Sequence, residues 1–150
     1  MKSTVKAIGT LDAEMYRSGV LVSQWNVRNL IVNDGLALLA SRLLDNSSSP
    51  ITHMAVGNDA AAAAGGDSDL GSMLGSRVGL ESSALVTSAV TNDSIQYVAR
   101  FSAGVSVGGI TEAGLFNAAT GGSMLSRVVF PVQTKTALDV LVLTWKIQFT

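Results

Sequence analysis

The clearest pattern in the chain is the alternation of apolar and polar residues over its last stretch, Leu138–Phe149. From Leu141 onward every odd position is apolar, whereas the even positions are apolar up to Val142 and polar from Thr144. Successive side chains of a strand point to opposite faces of a sheet, so this stretch predicts one long strand with a continuous buried face. The apolar even positions indicate that its first half is covered on both faces.

Shorter strand-like segments precede this stretch, separated by turns rich in Gly, Asn and Ser. They are residues 19–27, 51–57, 77–80, 84–87, 95–101, 110–116 and 123–130. Pro131 is expected to end the last of them, because proline cannot donate to a strand ladder. Many short strands at regular spacing are typical of a β-sandwich or barrel. We therefore predict a mainly β protein, an antiparallel and jelly-roll-like β-sandwich that forms one domain over residues 1–150.

One segment, residues 34–45, has the periodicity of a helix. Its apolar positions lie three and four residues apart and predict a single buried stripe, made of Leu36, Leu39, Ala40 and Leu43. Asn33 or Asp34 can cap the free amides of the first turn, and the run of polar residues ending at Pro50 stops the helix. The sequence thus predicts one α-helix that lies against the sheet.

The predicted core is built mainly on the C-terminal strand. The residues expected in it are Trp145, Leu143, Ile147, Phe149, Phe101 and Leu39.

Two segments are patterned less clearly. Residues 1–18 leave two alternatives open: an extended arm that reaches onto a neighbouring subunit, or additional strands of the sheet, which we favour. Residues 58–69, NDAAAAAGGDSD, predict a mobile surface loop, because five alanines are too few to nucleate a stable helix in water.

Composition points away from disorder and towards a protein that associates. The chain has 150 residues, of which 47% are hydrophobic and only 14% are charged. Disordered chains combine low hydrophobicity with high net charge, so this chain is expected to fold. A surface with so few charges is unusual for a free monomer but is typical of subunits whose surface is partly buried against a partner.

Charge and cysteine content exclude several classes of function. The net charge is −1 and the 10 Lys and Arg residues form no basic run, so we expect no nucleic-acid partner. With 0 Cys, the chain has no disulfide, no thiolate nucleophile and no zinc finger. The opening residues lack the apolar core of a signal peptide, and no stretch approaches the roughly 18 apolar residues that cross a bilayer. We expect synthesis in a cytoplasm and no membrane partner.

The residues that carry chemistry form no recognisable catalytic motif. His53 is the only histidine, and no Gly-x-Ser-x-Gly elbow accompanies it. The acidic residues of the 58–69 loop offer oxygen ligands of the kind that calcium prefers, but their spacing is not that of an EF-hand, which favours solvated carboxylates. The glycine pairs precede a strand or lie in a turn, unlike a phosphate-binding loop. We therefore predict no catalytic residue, no cofactor and no metal.

Glu112 is the most informative charged residue. It lies between Ile110 and Leu115 in a segment with little other polarity, so its carboxylate is expected to be partly buried. A buried carboxylate needs a cation or backbone amides nearby. The candidate cations are Arg77, Arg100 and Arg127. A structural ion pair that pins one corner of the fold is the favoured interpretation, and a contact between subunits is the alternative.

Four blocks of the sequence carry a family likeness. They are residues 29–36 (NLIVNDGL), 51–57 (ITHMAVG), 110–122 (ITEAGLFNAATGG) and 144–147 (TWKI). In this order the blocks resemble small structural proteins of tailed bacteriophages, and the third block is similar to a segment of the virion-attaching domains of tail-fibre proteins.

The resemblance implies a virion structural protein, assembled in the host cytoplasm, and no enzyme. Fibre proteins continue into a shaft and a receptor tip, so a chain that stops at Thr150 favours a capsid decoration (cement) protein, with a tail, collar or baseplate component as the alternative. The implied partners are the major capsid protein or tail proteins, together with further copies of the chain in a dimer or trimer. A sugar-binding sandwich is a third possibility, but Trp25 and Trp145 both lie at inward positions and are better explained by core packing.

Overall fold

The computed structural model describes residues 2–150, which form nine strands and one helix. The strands are β1 (Ala7–Arg17), β2 (Val20–Ile31), β3 (His53–Gly57), β4 (Val78–Gly79), β5 (Ser82–Val86), β6 (Ser94–Phe101), β7 (Gly108–Phe116), β8 (Met124–Lys135) and β9 (Asp139–Phe149), and the helix is α1 (Asn33–Leu44). All strand pairs are antiparallel. The prediction of a mainly β protein with one helix near residues 34–45 is confirmed.

The strands form one curled sheet, a half-barrel, in the order β4-β3-β7-β8-β2-β1-β9-β6-β5. The ladder between β2 and β8 is short, because these strands pair only through Leu30 and Ile31. Its two ends approach each other where the chain passes from β4 to β5, since Leu80 N–H donates to the Thr52 carbonyl (2.9 Å) and Glu81 N–H to the Val98 carbonyl (2.8 Å). The curl therefore brings the inner faces of both halves over one core.

The core is organised around β9. Leu143, Trp145, Ile147 and Phe101 are buried, while Phe149 is half-buried against them. The alternation in β9 produces this arrangement, because its odd-numbered side chains all face inward between β1 and β6.

A buried polar contact accompanies Trp145. The indole N–H donates to the side-chain oxygen of Asn29 (2.6 Å), whose amide nitrogen donates to Ser126 Oγ. Asn29 occupies the place where a side chain on Gly9 would otherwise stand, since a Cβ there would lie 1.8 Å from the Asn29 side-chain atom that faces Ser126. This contact connects β2, β8 and β9 beside the short β2–β8 ladder.

The predicted buried stripe of the helix is wrong. Leu36 and Leu43 are 54% and 89% exposed, whereas Gly35 and Leu38 are buried and Leu39 is half-buried. Gly35 allows the helix to approach β8 closely, because a Cβ there would lie 2.1 Å from a backbone oxygen of that strand. Leu38 lies almost one turn later on the same side. Both sides of α1 are apolar, so periodicity alone could not identify the side that meets the sheet.

The start of the helix also differs from the prediction. It begins at Asn33, and its N-cap is Val32, which provides no side-chain cap; Asp34 lies within the first turn. The Asn33 N–H is bound instead by the Gly65 carbonyl (2.8 Å), so a distant loop supplies an acceptor that the sequence pattern assigned to a local side chain.

The predicted end of a strand at Pro131 is wrong. β8 runs through Pro131 to Lys135, because residues 130–132 lie opposite Thr111 alone in an irregular part of the β7–β8 ladder, where a missing N–H is tolerated.

The favoured alternative for residues 1–18, additional strands rather than an arm, holds for most of the segment. It forms β1, which is paired on both sides with β2 and β9. Residues 2–6 precede this strand, and Met1 lies outside the described residues. A jelly-roll sandwich stays a prediction.

Candidate functional site

Glu112 lies on the face of β7 that the loop after β3 covers, and it is fully buried. Its carboxylate accepts hydrogen bonds from the backbone N–H groups of Asp59 (3.2 Å), Gly71 (3.0 Å) and Ser72 (2.8 Å). Arg127 of β8 donates to the same carboxylate through Nε at 2.9 Å. A buried carboxylate therefore attaches residues 58–73, which we call the covering loop, to the sheet.

Arg127 extends this contact to the middle of the covering loop. Its Nη1 donates to Asp67 (2.9 Å), and its Nη2 lies 3.7 Å from an oxygen of Asp59. Burial disfavours the charged guanidinium, but the hydrogen bonds to Glu112 and Asp67 outweigh it and raise the pKa of Arg127. The Ala64 N–H and Arg127 together hold the pKa of the Asp67 carboxyl below its usual value.

The other two predicted cations contact different groups. Arg77 lies over the ring of Phe116, 3.6 Å from its centroid, and donates to the carbonyl of Gly121 (2.7 Å) in the turn after β7. Arg100 pairs with Glu81 (2.7 Å) on the surface, where both side chains are about half exposed (48% and 47%). Of the three candidates, Arg127 alone is brought to Glu112.

The covering loop is shaped to fit closely over this ion pair. A Cβ on Gly57 would lie 2.4 Å from a carboxylate oxygen of Glu112 and 2.4 Å from the Ser72 carbonyl oxygen. A Cβ on Gly71 would lie 1.7 Å from an oxygen of Asp59. The sequence predicted a mobile surface loop here. The structure shows buried charge-assisted hydrogen bonds between this loop and the sheet, and their partners are too far away in the sequence for a local pattern to reveal them.

The contacts of this cluster join the covering loop to the sheet. Every carboxylate in it is bound by a guanidinium or by backbone amides, and no arrangement of three or more His, Asp or Glu residues that could hold a metal occurs within residues 2–150. His53 lies at the start of β3 with its Nδ1 2.8 Å from the hydroxyl of Thr52.

A second feature lies at the end of the sheet where three connections meet: the turn between β1 and β2, the loop between β6 and β7, and the turn between β8 and β9. We call this region the aliphatic end, because large aliphatic side chains are exposed on it. They are Val20, Leu21, Val22, Val105, Val107, Val132 and Leu138. Val20, Val132 and Leu138 have 60% or more of their surface in solvent (64%, 60% and 71%). Such a concentration of exposed apolar residues typically marks an interaction surface.

Hydrogen bonds from side chains and from the backbone link the three connections of the aliphatic end to one another. Arg17 at the end of β1 binds Asp139 at the start of β9 through two hydrogen bonds of 2.8 and 3.1 Å. Lys135 is fully buried and donates to the Ser102 carbonyl (2.9 Å). The Gly104 N–H donates to the backbone of the β8–β9 turn at 2.9 Å. These hydrogen bonds hold the backbone beneath the exposed aliphatic residues, and we call these bonded groups the base of the aliphatic end. A surface that is already held in place loses less conformational entropy when it binds another molecule.

The pKa values of Asp139 and Lys135, two residues of this base, are shifted by their surroundings. The hydrogen bonds from Arg17 and from the Thr136 N–H hold the pKa of Asp139 far below its usual range. Burial lowers the pKa of Lys135, and the nearby Asp139 carboxylate partly opposes this effect. The sequence analysis did not identify Arg17, Lys135 or Asp139. Asp139 is nevertheless one of the odd-numbered residues of β9, and these residues form the buried face of the strand.

Comparison with known proteins gives no relative: no protein family model, no curated protein and no solved structure matches this chain. Within residues 2–150, no helix has both the length and the apolar content that a bilayer crossing requires.

Proposed function

We propose that this protein is a structural subunit of a tailed-bacteriophage virion, acting without catalysis as a capsid decoration protein. In this role it binds the major capsid protein through the aliphatic end and stabilises the shell by burying apolar surface at the contact. The observation that carries the proposal is the aliphatic end, an exposed apolar surface whose connections are held together by hydrogen bonds.

The positions of the phage-like blocks are consistent with this proposal. Residues 51–57 and 110–116 pair as β3 and β7, which places Gly57 opposite Glu112 under the covering loop. The block at 29–36 passes from β2 into α1, where Val32 N–H donates to the Leu125 carbonyl (3.2 Å). The blocks therefore make up the internal framework of the fold, and we infer that the resemblance is one of architecture. The jelly-roll sandwich belongs to this proposal, with the two halves of the curled sheet as its layers.

The energetic argument rests on apolar area. Burial of apolar surface contributes about 25 cal/mol per Å² before the costs of association are subtracted. A stable interface typically buries about 800 Å² on each partner and has an apolar centre with few charges. The exposed aliphatic side chains of this end suit the centre of such an interface. The charged residue beside them, Arg17, is 46% exposed and is paired with the buried Asp139. Trp145 is fully buried and Trp25 packs on Phe130, which leaves neither indole as an open platform for a sugar ring.

Copy number tests the proposed location. The protein is quantified by mass spectrometry against the major capsid protein in particles purified from the phage that encodes it. A ratio close to that of a shell component is expected. A ratio typical of a tail fibre or collar would assign the protein to the tail instead, and its absence from the particle would refute a virion role.

Docking tests the proposed surface. Shells stripped of this protein are mixed with purified wild type or with Leu138→Asp, and bound protein is measured after sedimentation of the shells. We expect the charge at position 138 to abolish most of the binding. Leu44→Asp is the matched control, because Leu44 is 82% exposed on α1 and lies outside the aliphatic end. Equal loss of binding in both variants would contradict the assignment of the surface.

A further inference from the structure

The second surface of interest is the open edge of β5. This strand is the last in the sheet and, among the described residues, its only strand partner is β6. Alternate residues of an edge strand direct their N–H and C=O groups away from the sheet, where they can pair with another strand.

β5 lacks the features by which proteins usually protect such edges. From Ser82 to Asn92 the chain has no charged residue and no proline, and the β5–β6 ladder has no bulge. The charged residue before it, Glu81, is already paired with Arg100. The opposite edge of the sheet, β4, is only two residues long and is protected by its shortness.

A groove runs beside the inner side of this edge. Ser83 and Leu85 stand opposite Tyr97 and Ile95 in the ladder, and all four line a cavity of about 280 Å³. The opposite wall of the cavity is the segment Pro50–Ile51. Leu85 is 62% exposed although it lies on the inner side. A strand added to the edge of β5 would therefore place every second side chain over an apolar groove.

We propose that β5 pairs with β5 of a second copy, antiparallel about a two-fold axis, to form a continuous sheet across a dimer. With Ala84 on the axis, Ser83 of one copy lies opposite Leu85 of the other, so each groove receives a leucine from the partner. The neutral sequence favours this occupant, because self-pairing places no like charges opposite each other. The inference concerns association of the chain with itself and does not rest on the proposed virion role.

The size of the contact sets the expected strength. Pairing of five residues buries less than the roughly 800 Å² per partner of a standard interface, so the dimer is expected to be reversible and concentration-dependent. Sedimentation equilibrium of the isolated protein should show the mass rising with concentration from 15.5 kDa towards twice that value.

A charge on the inner side of the edge tests the surface. Leu85→Lys should remain monomeric over the same concentration range, because its ammonium would be buried in the apolar groove of the partner. Leu44→Lys is the matched control, since Leu44 is equally apolar, 82% exposed on α1 and outside the aliphatic end. Circular dichroism checks that both variants retain the β fold. Loss of dimer in Leu44→Lys with an intact dimer in Leu85→Lys would overturn the proposal.

Cross-linking tests the register, and the absence of cysteine from the chain makes it specific. Ala84→Cys should form a disulfide-linked dimer on mild oxidation, because residues directly opposite in an antiparallel pair lie within the range a disulfide spans. Leu44→Cys, on the exposed side of α1, should form little disulfide-linked dimer under the same conditions. A wild type that stays monomeric at every concentration, with no Ala84→Cys dimer, overturns the proposal and leaves the edge to an extended strand of another protein.

Discussion

Substitution of Glu112 by glutamine tests how the covering loop is held. Glutamine keeps the size of the side chain but replaces one carboxylate oxygen by an NH₂ group and removes the charge. In the wild type the two oxygens accept from Arg127 and from the N–H groups of Asp59, Gly71 and Ser72. At least one of these donors would therefore face another donor in the variant.

The expected cost follows from the burial of the pair. Removal of one partner of a buried ion pair typically destabilises a protein by about 3–5 kcal/mol. Asp67 still binds Arg127 Nη1 at 2.9 Å, so the guanidinium keeps one carboxylate and the cost should lie near 3 kcal/mol. This is a large fraction of the roughly 5–15 kcal/mol by which proteins of this kind are stable, yet the variant should still fold.

Two measurements check this expectation. Urea unfolding gives the change in the free energy of unfolding, and hydrogen exchange reports on the amides of Asp59, Gly71 and Ser72, which should lose protection first. Glu81→Gln is the matched control: it makes the same chemical change in the exposed pair with Arg100 and should cost about 1 kcal/mol or less. The reasoning is refuted if the two variants cost the same, or if the three amides stay as protected as in the wild type.

Three further perturbations address the core, the loop and the charged base. Trp145→Ala should lower the free energy of unfolding by about 3–5 kcal/mol, measured in urea, because it leaves a cavity in the centre of the core. Gly57→Ala should also destabilise, by about 1–3 kcal/mol in the same assay, because the added methyl group would overlap the Ser72 carbonyl oxygen and the carboxylate beneath it. Asp139 has a lowered pKa when folded, so its contribution is complete above the unfolded pKa of about 3.9 and is lost as the pH falls below it; Asp139→Asn should flatten that part of a stability–pH profile.

Each of these expectations has a contrasting result. A nearly neutral Trp145→Ala would mean that the inner face of β9 is not the core, and Trp145→Phe should fall between alanine and the wild type. Gly79→Ala is the control for Gly57→Ala, since a Cβ at Gly79 meets no atom within 4 Å. An unchanged acid profile in Asp139→Asn would show that the bond to Arg17 does not contribute to folding.

The sequence predicted best what depends on local alternation. In β9 the alternation of apolar and polar residues predicted both the strand and its buried face. Gly121 and Gly122 likewise predicted a turn, and both have a positive φ there (62° and 66°). It predicted least well what depends on distant partners. The side of α1 that meets the sheet is decided by the backbone of β8 above Gly35, and no local pattern contains that information.

Glu112 shows both sides of this limit. Its isolation among apolar residues correctly drew attention to a buried carboxylate, and Arg127 was among the candidates for its partner. The three loop amides that also bind its carboxylate belong to residues 40 to 53 positions away along the chain. Nothing in the local sequence around Glu112 could therefore identify them. The same long-range bonds hold an alanine- and glycine-rich loop against the sheet.

The position of β1 has a consequence for how the protein folds. β1 lies in the sheet between β2 and β9, with Ala7 opposite Phe149, although seven strands and the helix separate β1 from β9 along the chain. Until β9 pairs, the hairpin of β1 and β2 has one bare inner edge, and β6 lacks the neighbour against which it packs. Pairing across such a sequence separation slows folding, because the loop-closure entropy must be overcome before the contacts form. We therefore expect this half of the sheet to form late in folding, when β9 inserts between β1 and β6.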